Sequence, residues 1–437
     1  MPYIPASPQE KNLGLELFFT DTPGISGRVK KTPDDFIVNE RSIDVIEISD
    51  SDLKIRDPTA PIYTYATVKS RNWETNRLVH KFAEILGIGT DKVYFAGSKD
   101  KRAITTQLMA FQAPKEKVRE ISIPDVEISN AIYSTRAFKV GDLIGNDFEI
   151  NISDPEVSKH EATEYINATM DQLNEINGSP NLFGVQRFGI IRPVTHHIGK
   201  LLVQKKVEEA VFRYIGHPEA GEPEEDYYAR SEFDSTGDLE WAYNNYPRHL
   251  FFERLLIKHL LRHPEDYYGA IQQLPKNLAT MFVHAYQSYL FNIMLCNRIR
   301  AGLSFREPLL GDIVLPVDDY KLPIHKTWIP VTPDNIKKLT KQCRAGKAYI
   351  SAVLFGSETD CADGEFGELE RQVVDQEKIT QNDFIQPAMP ELSSKGSRRE
   401  IVVPVKDFKF EVFKEHVKVS FGLIKGAYAT IFLREIM

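Results

Sequence analysis

Strand-like alternation marks the two ends of this 437-residue chain and largely disappears from its middle. "DFIVNE" (35–40) sets Phe36 and Val38 against polar neighbours, as a strand with one buried face does. "IYTYATV" (62–68) is rich in β-branched and aromatic residues, and "KVYFAG", "TTQLMAF" and "DFEINI" (147–152) follow in the same style. The pattern then returns only near residue 400, in "IVVPV", "FKFEVF", "VKVSF" and "YATIFLRE". A sheet begun at the N-terminal end and completed by the C-terminal end, with a domain inserted between them, is the economical solution. Several strands are joined by short turns, which favours an α+β fold with a mixed or antiparallel sheet over a doubly wound parallel one.

Helical spacing places the intervening elements. Leu78, Phe82, Ile85 and Leu86 fall on one stripe that Gly87 ends, and Ile166, Met170, Leu173 and Ile176 form another that Gly178 and Pro180 end. "NLFGVQRFG" (181–189) then reads as a loop, and a third helix is expected through Leu202, Val207, Val211 and Ile215. Residues 216–238 are acidic, rich in Pro and Gly and aperiodic, as at a domain boundary or an exposed excursion. The best helix of the next stretch carries Leu278, Phe282, Ala285, Tyr289 and Ile293 on one face, and "ELSSKGSRRE" (391–400) reads as a polar linker. The expected division is therefore 1–215 with 389–437, interrupted by 216–388.

Bulk composition narrows the function classes. No apolar run approaches the ~18 residues of a membrane span, and the N-terminus lacks the basic and apolar regions of a signal peptide. Cys296, Cys343 and Cys361 form no CxxC and no even framework, which argues for a reducing, cytoplasmic setting without a structural zinc or disulfide scaffold. Net charge is −8, but unevenly spread: residues 356–377 carry eight acids against Arg371, and 395–434 carry nine Lys/Arg against four acids. Such segregation suits either two solvated faces or a polyanion bound in one place.

Between two of the strands lies "AGSKDKRAITTQ" (96–107), which sets Asp100 among Lys99, Lys101 and Arg102. Neighbouring cations keep a carboxylate ionised, as a nucleophile or base requires. A solvated hairpin turn is the plain alternative. His196 and His197 diverge by ~100° on a helix and make a poor metal pair, so a helix start is the better reading there. "GIGTDKVYFAG" lacks both GxGxxG and GxxxxGK[ST] and is not a phosphate loop.

Five blocks together resemble the TruD family of pseudouridine synthases, in family order: "GRVKKTPDDFIVNE", "AGSKDKRAITTQ", "NLFGVQRFG", "QSYLFN" (287–292) and "KGAYATIFLRE" (425–435). The resemblance implies isomerisation of uridine to pseudouridine in tRNA, at position thirteen, with no metal and no organic cofactor. It implies a permuted pseudouridine synthase sheet with an inserted TRUD domain, and tRNA as partner, with no membrane and no obligatory protein partner. Residue by residue, Asp100 matches the catalytic aspartate and Lys30 the basic residue near it, with Lys31 as competitor. Phe36 matches a position lining the uridine pocket, Asn181 an asparagine for the uracil edge, Phe183 the stacking phenylalanine, and Tyr428 an aromatic at the same pocket. Stacking a flipped base on an aromatic face contributes ~1–3 kcal/mol. Phe183 lacks the hydroxyl that most other pseudouridine synthase families supply with tyrosine. Attack at C1′, attack at C6 and proton removal at C2′ all remain open. Phe188 reads as core, and Arg187 as a structural or phosphate contact. "QSYLFN" reads as packing, with Gln287 and Asn292 as RNA or interdomain contacts.

Two other classes compete. A catalytically silent RNA-binding or chaperone protein could share this scaffold. An aspartyl-phosphate hydrolase also uses a carboxylate nucleophile, but it wants a second carboxylate two residues on, where this chain has Arg102.

Overall fold

The computed structural model describes residues 4–43, 47, 62–99 and 101–437. The chain divides into two compact units, one of residues 1–21 and 175–402, the other of 22–174 and 403–437. The strands are β1 (Phe36–Ser42), β2 (Tyr63–Arg71), β3 (Val93–Phe95), β4 (Ile104–Phe111), β5 (Val126–Ser134) and β6 (Leu143–Ser153). There follow β7 (Ser179–Pro180), β8 (Ile313–Pro316), β9 (Ile329–Pro330), β10 (Ala348–Leu354) and β11 (Ser397–Glu400). The last three are β12 (Val402–Val403), β13 (Lys406–Val412) and β14 (His416–Ile424).

In the second unit the order is β13-β14-β6-β1-β4-β2-β5, with β3 also on β4. Among the described residues only β1 and β4 run parallel; the other pairs of this sheet are antiparallel, so the sheet is mixed and the fold α+β. β14, from the far end of the sequence, pairs along β6 from His416↔Ser153 to Ile424↔Gly145. The sheet is thus shared between the two ends of the chain, as the alternation predicts. The Thr75–Leu86 helix packs Leu78, Val79, Phe82 and Leu86 against Val68, Met109 and Phe111 of the sheet. Gly87 ends it at φ 65°, while Ile85, expected in the stripe, is exposed.

The first unit is mainly helical and carries the β11-β10-β8-β9 sheet. Its core joins Ile198, Val211 and Ile215 to Phe282, Tyr286, Leu290, Val353 and Phe384. Residues 195–215 share that core, and the compact units part at 21/22, 174/175 and 402/403.

Several expected elements differ. The third helix is two, Thr195–Val203 and Val207–Ile215, interrupted where Lys205 adopts φ 61°. The supposed excursion at 216–238 contains the Glu224–Thr236 helix, whose first turn sets three acids against the helix dipole. "YATIFLRE" is not a strand: Ala429–Ile436 is a helix burying Ile431, Phe432, Leu433 and Ile436. The "linker" at 391–400 contains β11, which buries Arg398 and Glu400. Among the described residues, no helix is long and apolar enough to cross a membrane.

Candidate active site

Asp100 itself lies outside the described residues; its chain neighbours are firmly placed. The Lys99 N–H donates to Thr75 Oγ1 at 2.8 Å, the Asn72 N–H to Ala103 O at 2.9 Å. Lys99 Nζ turns inward and forms an ion pair with Glu40 on β1, both side chains being nearly or wholly buried. Its charge is therefore paired with that of Glu40. Arg102 donates to the Lys31 carbonyl at 2.7 Å, which ties the 96–103 loop to the one carrying Lys30.

That second loop separates the two lysines. Lys31 Nζ pairs with Asp154 at 3.3 Å, whereas Lys30 Nζ stands 4.0 Å from the centre of the Phe36 ring. Lys30 adopts φ 59°, a left-handed conformation that a lysine rarely takes. Phe36 is buried, edge-on to Phe148 across β6. Tyr428 is half-buried, and its carbonyl accepts from the Ile431 N–H at the start of the Ala429–Ile436 helix.

In the other unit, Asn181 and Phe183 sit in a dense polar network. Asn181 is buried; its amide nitrogen donates to Glu400 O at 3.0 Å and Oε1 at 2.9 Å. Arg399 donates to Asn181 Oδ1 at 2.6 Å, and its guanidinium lies 4.3 Å from the Phe183 ring centre. Both amide hydrogens are thus occupied and one Oδ1 lone pair is taken, so the capacity left to Asn181 is to accept one further hydrogen bond. Glu400 also accepts from His325 Nε2 at 2.8 Å. Burial pushes the Glu400 carboxyl up, but the His325 bond and the Arg399 charge outweigh it and hold it below the ordinary value.

Asn292 is the residue whose part here the sequence does not disclose. Its Oδ1 accepts from the Phe183 N–H at 2.8 Å while its Nδ2 donates to Phe183 O at 3.0 Å. "QSYLFN" therefore fixes the backbone of the phenylalanine, and Gln287 donates to Phe355 O. Arg187 donates to Ser288 Oγ and lies 5.8 Å from the Phe183 ring, while Phe188 is core. His196 opens a helix turn, hydrogen-bonds the Asn12 carbonyl through Nε2, and is pushed by burial to a pKa of about 3, so it stays neutral.

Comparison with known proteins extends over nearly the whole chain. The family model for tRNA pseudouridine synthase D (TruD) matches residues 12–436. A protein of Methanococcoides burtonii named "Probable tRNA pseudouridine synthase D" is 36% identical over 435 residues, covering 98% of this chain and 97% of the relative. One of the same name from Methanosarcina barkeri is 37% identical over 436 residues, with the same two coverages. A crystal structure from Methanosarcina mazei that carries the TruD name superposes with a TM-score of 0.84 at 36% identity, covering 98% of this chain and 97% of that one.

Proposed function

Because the chain belongs to the TruD family of tRNA pseudouridine synthases, we propose that it isomerises uridine to pseudouridine at position thirteen of tRNA through Asp100, in the cytoplasm and without a cofactor. Lys30 supplies the positive charge that keeps the Asp100 carboxylate ionised. The observation that carries this reading is the joining of the two loops: Arg102, two residues beyond Asp100, hydrogen-bonds Lys31, next to Lys30. With Lys31 paired to Asp154, Lys30 is the cation of that loop held over Phe36. Phe183 stacks on the everted base, and Asn181 accepts from the uracil N3–H with the one lone pair its network leaves. Phe36 and Tyr428 line the uridine pocket. All six residues fall within 1–215 and 389–437, the part expected to be catalytic, with 216–388 as the inserted TRUD domain.

The chemistry asks one carboxylate to assist cleavage of the bond from C1′ to N1 and the rejoining of C1′ to C5. The ring must be held while detached, which is what a stacking face with a fixed backbone does. The test is a tritium-release assay on tRNA labelled at C5 of uridine, followed by mapping of the modified nucleotide. Release that depends on Asp100, with the product at position thirteen, is expected. Tight tRNA binding without any release would favour a silent RNA-binding protein instead.

A further inference from the structure

The sequence places an excess of cations at 395–434, yet the structure gives several of them acidic or polar partners, buried for Arg398 and at the surface for Lys395 and Lys418. Arg398 is buried against Glu370, Arg399 holds Asn181, Lys395 pairs with Glu358 and Lys418 with Glu149. A different segment presents its charge outward. Between residues 336 and 347 the chain carries Lys337, Lys338, Lys341, Arg344 and Lys347 and no acid, with Asp334 the nearest one before it. All five cations are exposed. The Ile336–Arg344 helix is sharply two-sided: Leu339 and Cys343 are buried, and Lys337, Lys341 and Arg344 recur at i, i+4 and i+7 on the opposite side. Arg344 shares Glu307 at 3.0 Å, whereas Lys337, Lys338, Lys341 and Lys347 have no ion-pair partner among the described residues.

Exposed lysines without an ion-pair partner among the described residues occur singly elsewhere, Lys205, Lys258 and Lys276 among them; here four fall within 337–347 with no acid between them. Interspersed signs would serve solubility equally well, whereas a one-sign stripe attracts a polyanion. The position of the stripe matters too. Asn177 Nδ2 donates to the Arg344 carbonyl at 3.3 Å, so the C-terminal end of the helix abuts the segment that enters β7 and reaches Asn181 four residues later. Four residues span at most ~14 Å, and Lys337 to Arg344 covers roughly 10 Å of helix.

We propose that the exposed face of the Ile336–Arg344 helix, with Lys347, is a phosphodiester track that holds the RNA backbone flanking the nucleotide stacked on Phe183. This rests on the reading of Asn181 and Phe183 as uridine-binding. The lysines contribute binding and register rather than chemistry, since phosphate contacts position a nucleic acid without reading its sequence.

The experiment compares the full chain with its K337Q/K338Q/K341Q variant, using unmodified tRNA transcript. The dissociation constant is followed against salt concentration, and kcat and KM are followed at fixed salt. Loss of three phosphate contacts lowers the salt slope by about 2 and raises KM roughly tenfold or more, with kcat at saturating tRNA unchanged and the thermal melt unmoved. A control triple, K159Q/K258Q/K276Q, removes the same charge from exposed lysines elsewhere that likewise lack an ion-pair partner among the described residues, and leaves the slope nearly intact. An unchanged slope and KM in the first variant overturns the track. So does an equal change in the control, which would assign the effect to net charge. The binding arm does not need turnover, so failure of the uridine-binding reading shows separately, as a Phe183→Ala protein that reacts like the original.

Discussion

Two buried glutamates, one in each compact unit, hold the two most distinctive loops of the molecule, and they do so by different means. Glu40 on β1 meets Lys99 of the 96–107 loop in a pair hidden from solvent on both sides. Glu400 on β11 is equally hidden, but its partners are the Asn181 amide and His325, whose side chain is 48% exposed. The first arrangement fixes a loop by full opposite charges in a poorly screened environment. The second spreads one carboxylate over the Asn181 amide, a solvent-facing ring and the charge of Arg399. On the proposed function, the loop that presents the reacting group has the rigid kind of anchor, and the loop that receives the base has a shared one.

The contrast is sharpest at Asp100. Asp100→Asn is expected to lower turnover by about a thousandfold or more while leaving tRNA affinity nearly as it was, because the lost group reacts and does not hold phosphates. Phe183→Ala, on the other loop, lowers the rate less and weakens base positioning; an unchanged rate there removes the stacking role. Next in size is Lys99→Met, which strands Glu40 in the interior at an expected loss of about 3–5 kcal/mol. Chemical denaturation checks this, and the double variant Lys99→Met/Glu40→Leu should be less damaged than Lys99→Met alone. Asn292→Ala leaves the Phe183 N–H unsatisfied at roughly 1–3 kcal/mol and slows turnover by loosening the ring; a stable variant with full activity counts against the clamp. The smallest effect is on pH. Because the folded Glu400 carboxyl is held below its ordinary value, its contribution is present above the usual carboxylate range and is lost as pH falls through the lowered value. Glu400→Gln should flatten that acid limb of the stability curve, and an acid limb as steep as before would deny the ion its role.

Much of the sheet shared by the two chain ends is legible in the sequence because its strands obey the two-residue period and one buried face, as β1 and β6 show. What escaped did so for identifiable reasons. β11 hides Arg398 and Glu400 where a strand normally hides apolar residues, so its burial is satisfied by pairing and leaves no hydropathy signal. The Ala429–Ile436 helix buries Ile431, Phe432, Leu433 and Ile436, and a short apolar run of this kind reads equally as strand. The break at Lys205 needed one residue in left-handed geometry, which lysine does not advertise. At the site, the motif residues are visible only through resemblance, and in the sequence register alone separates Lys30 from Lys31. The Asp154 pairing that distinguishes them, and the grip of Asn292 on Phe183, depend on contacts 123 and 109 residues apart.

The pairing of β14 onto β6 also governs how the molecule is made. Strand β6 leaves the ribosome well before its partner does, the paired residues lying from 263 (Ser153 to His416) to 279 (Gly145 to Ile424) positions apart. Throughout that interval the nascent chain carries an unzipped sheet margin bearing Phe148, Ile150 and Ile152, side chains that the finished protein conceals. Closure across such a separation is slow and aggregation-exposed, so synthesis in the cell must shelter that margin until the last two strands arrive.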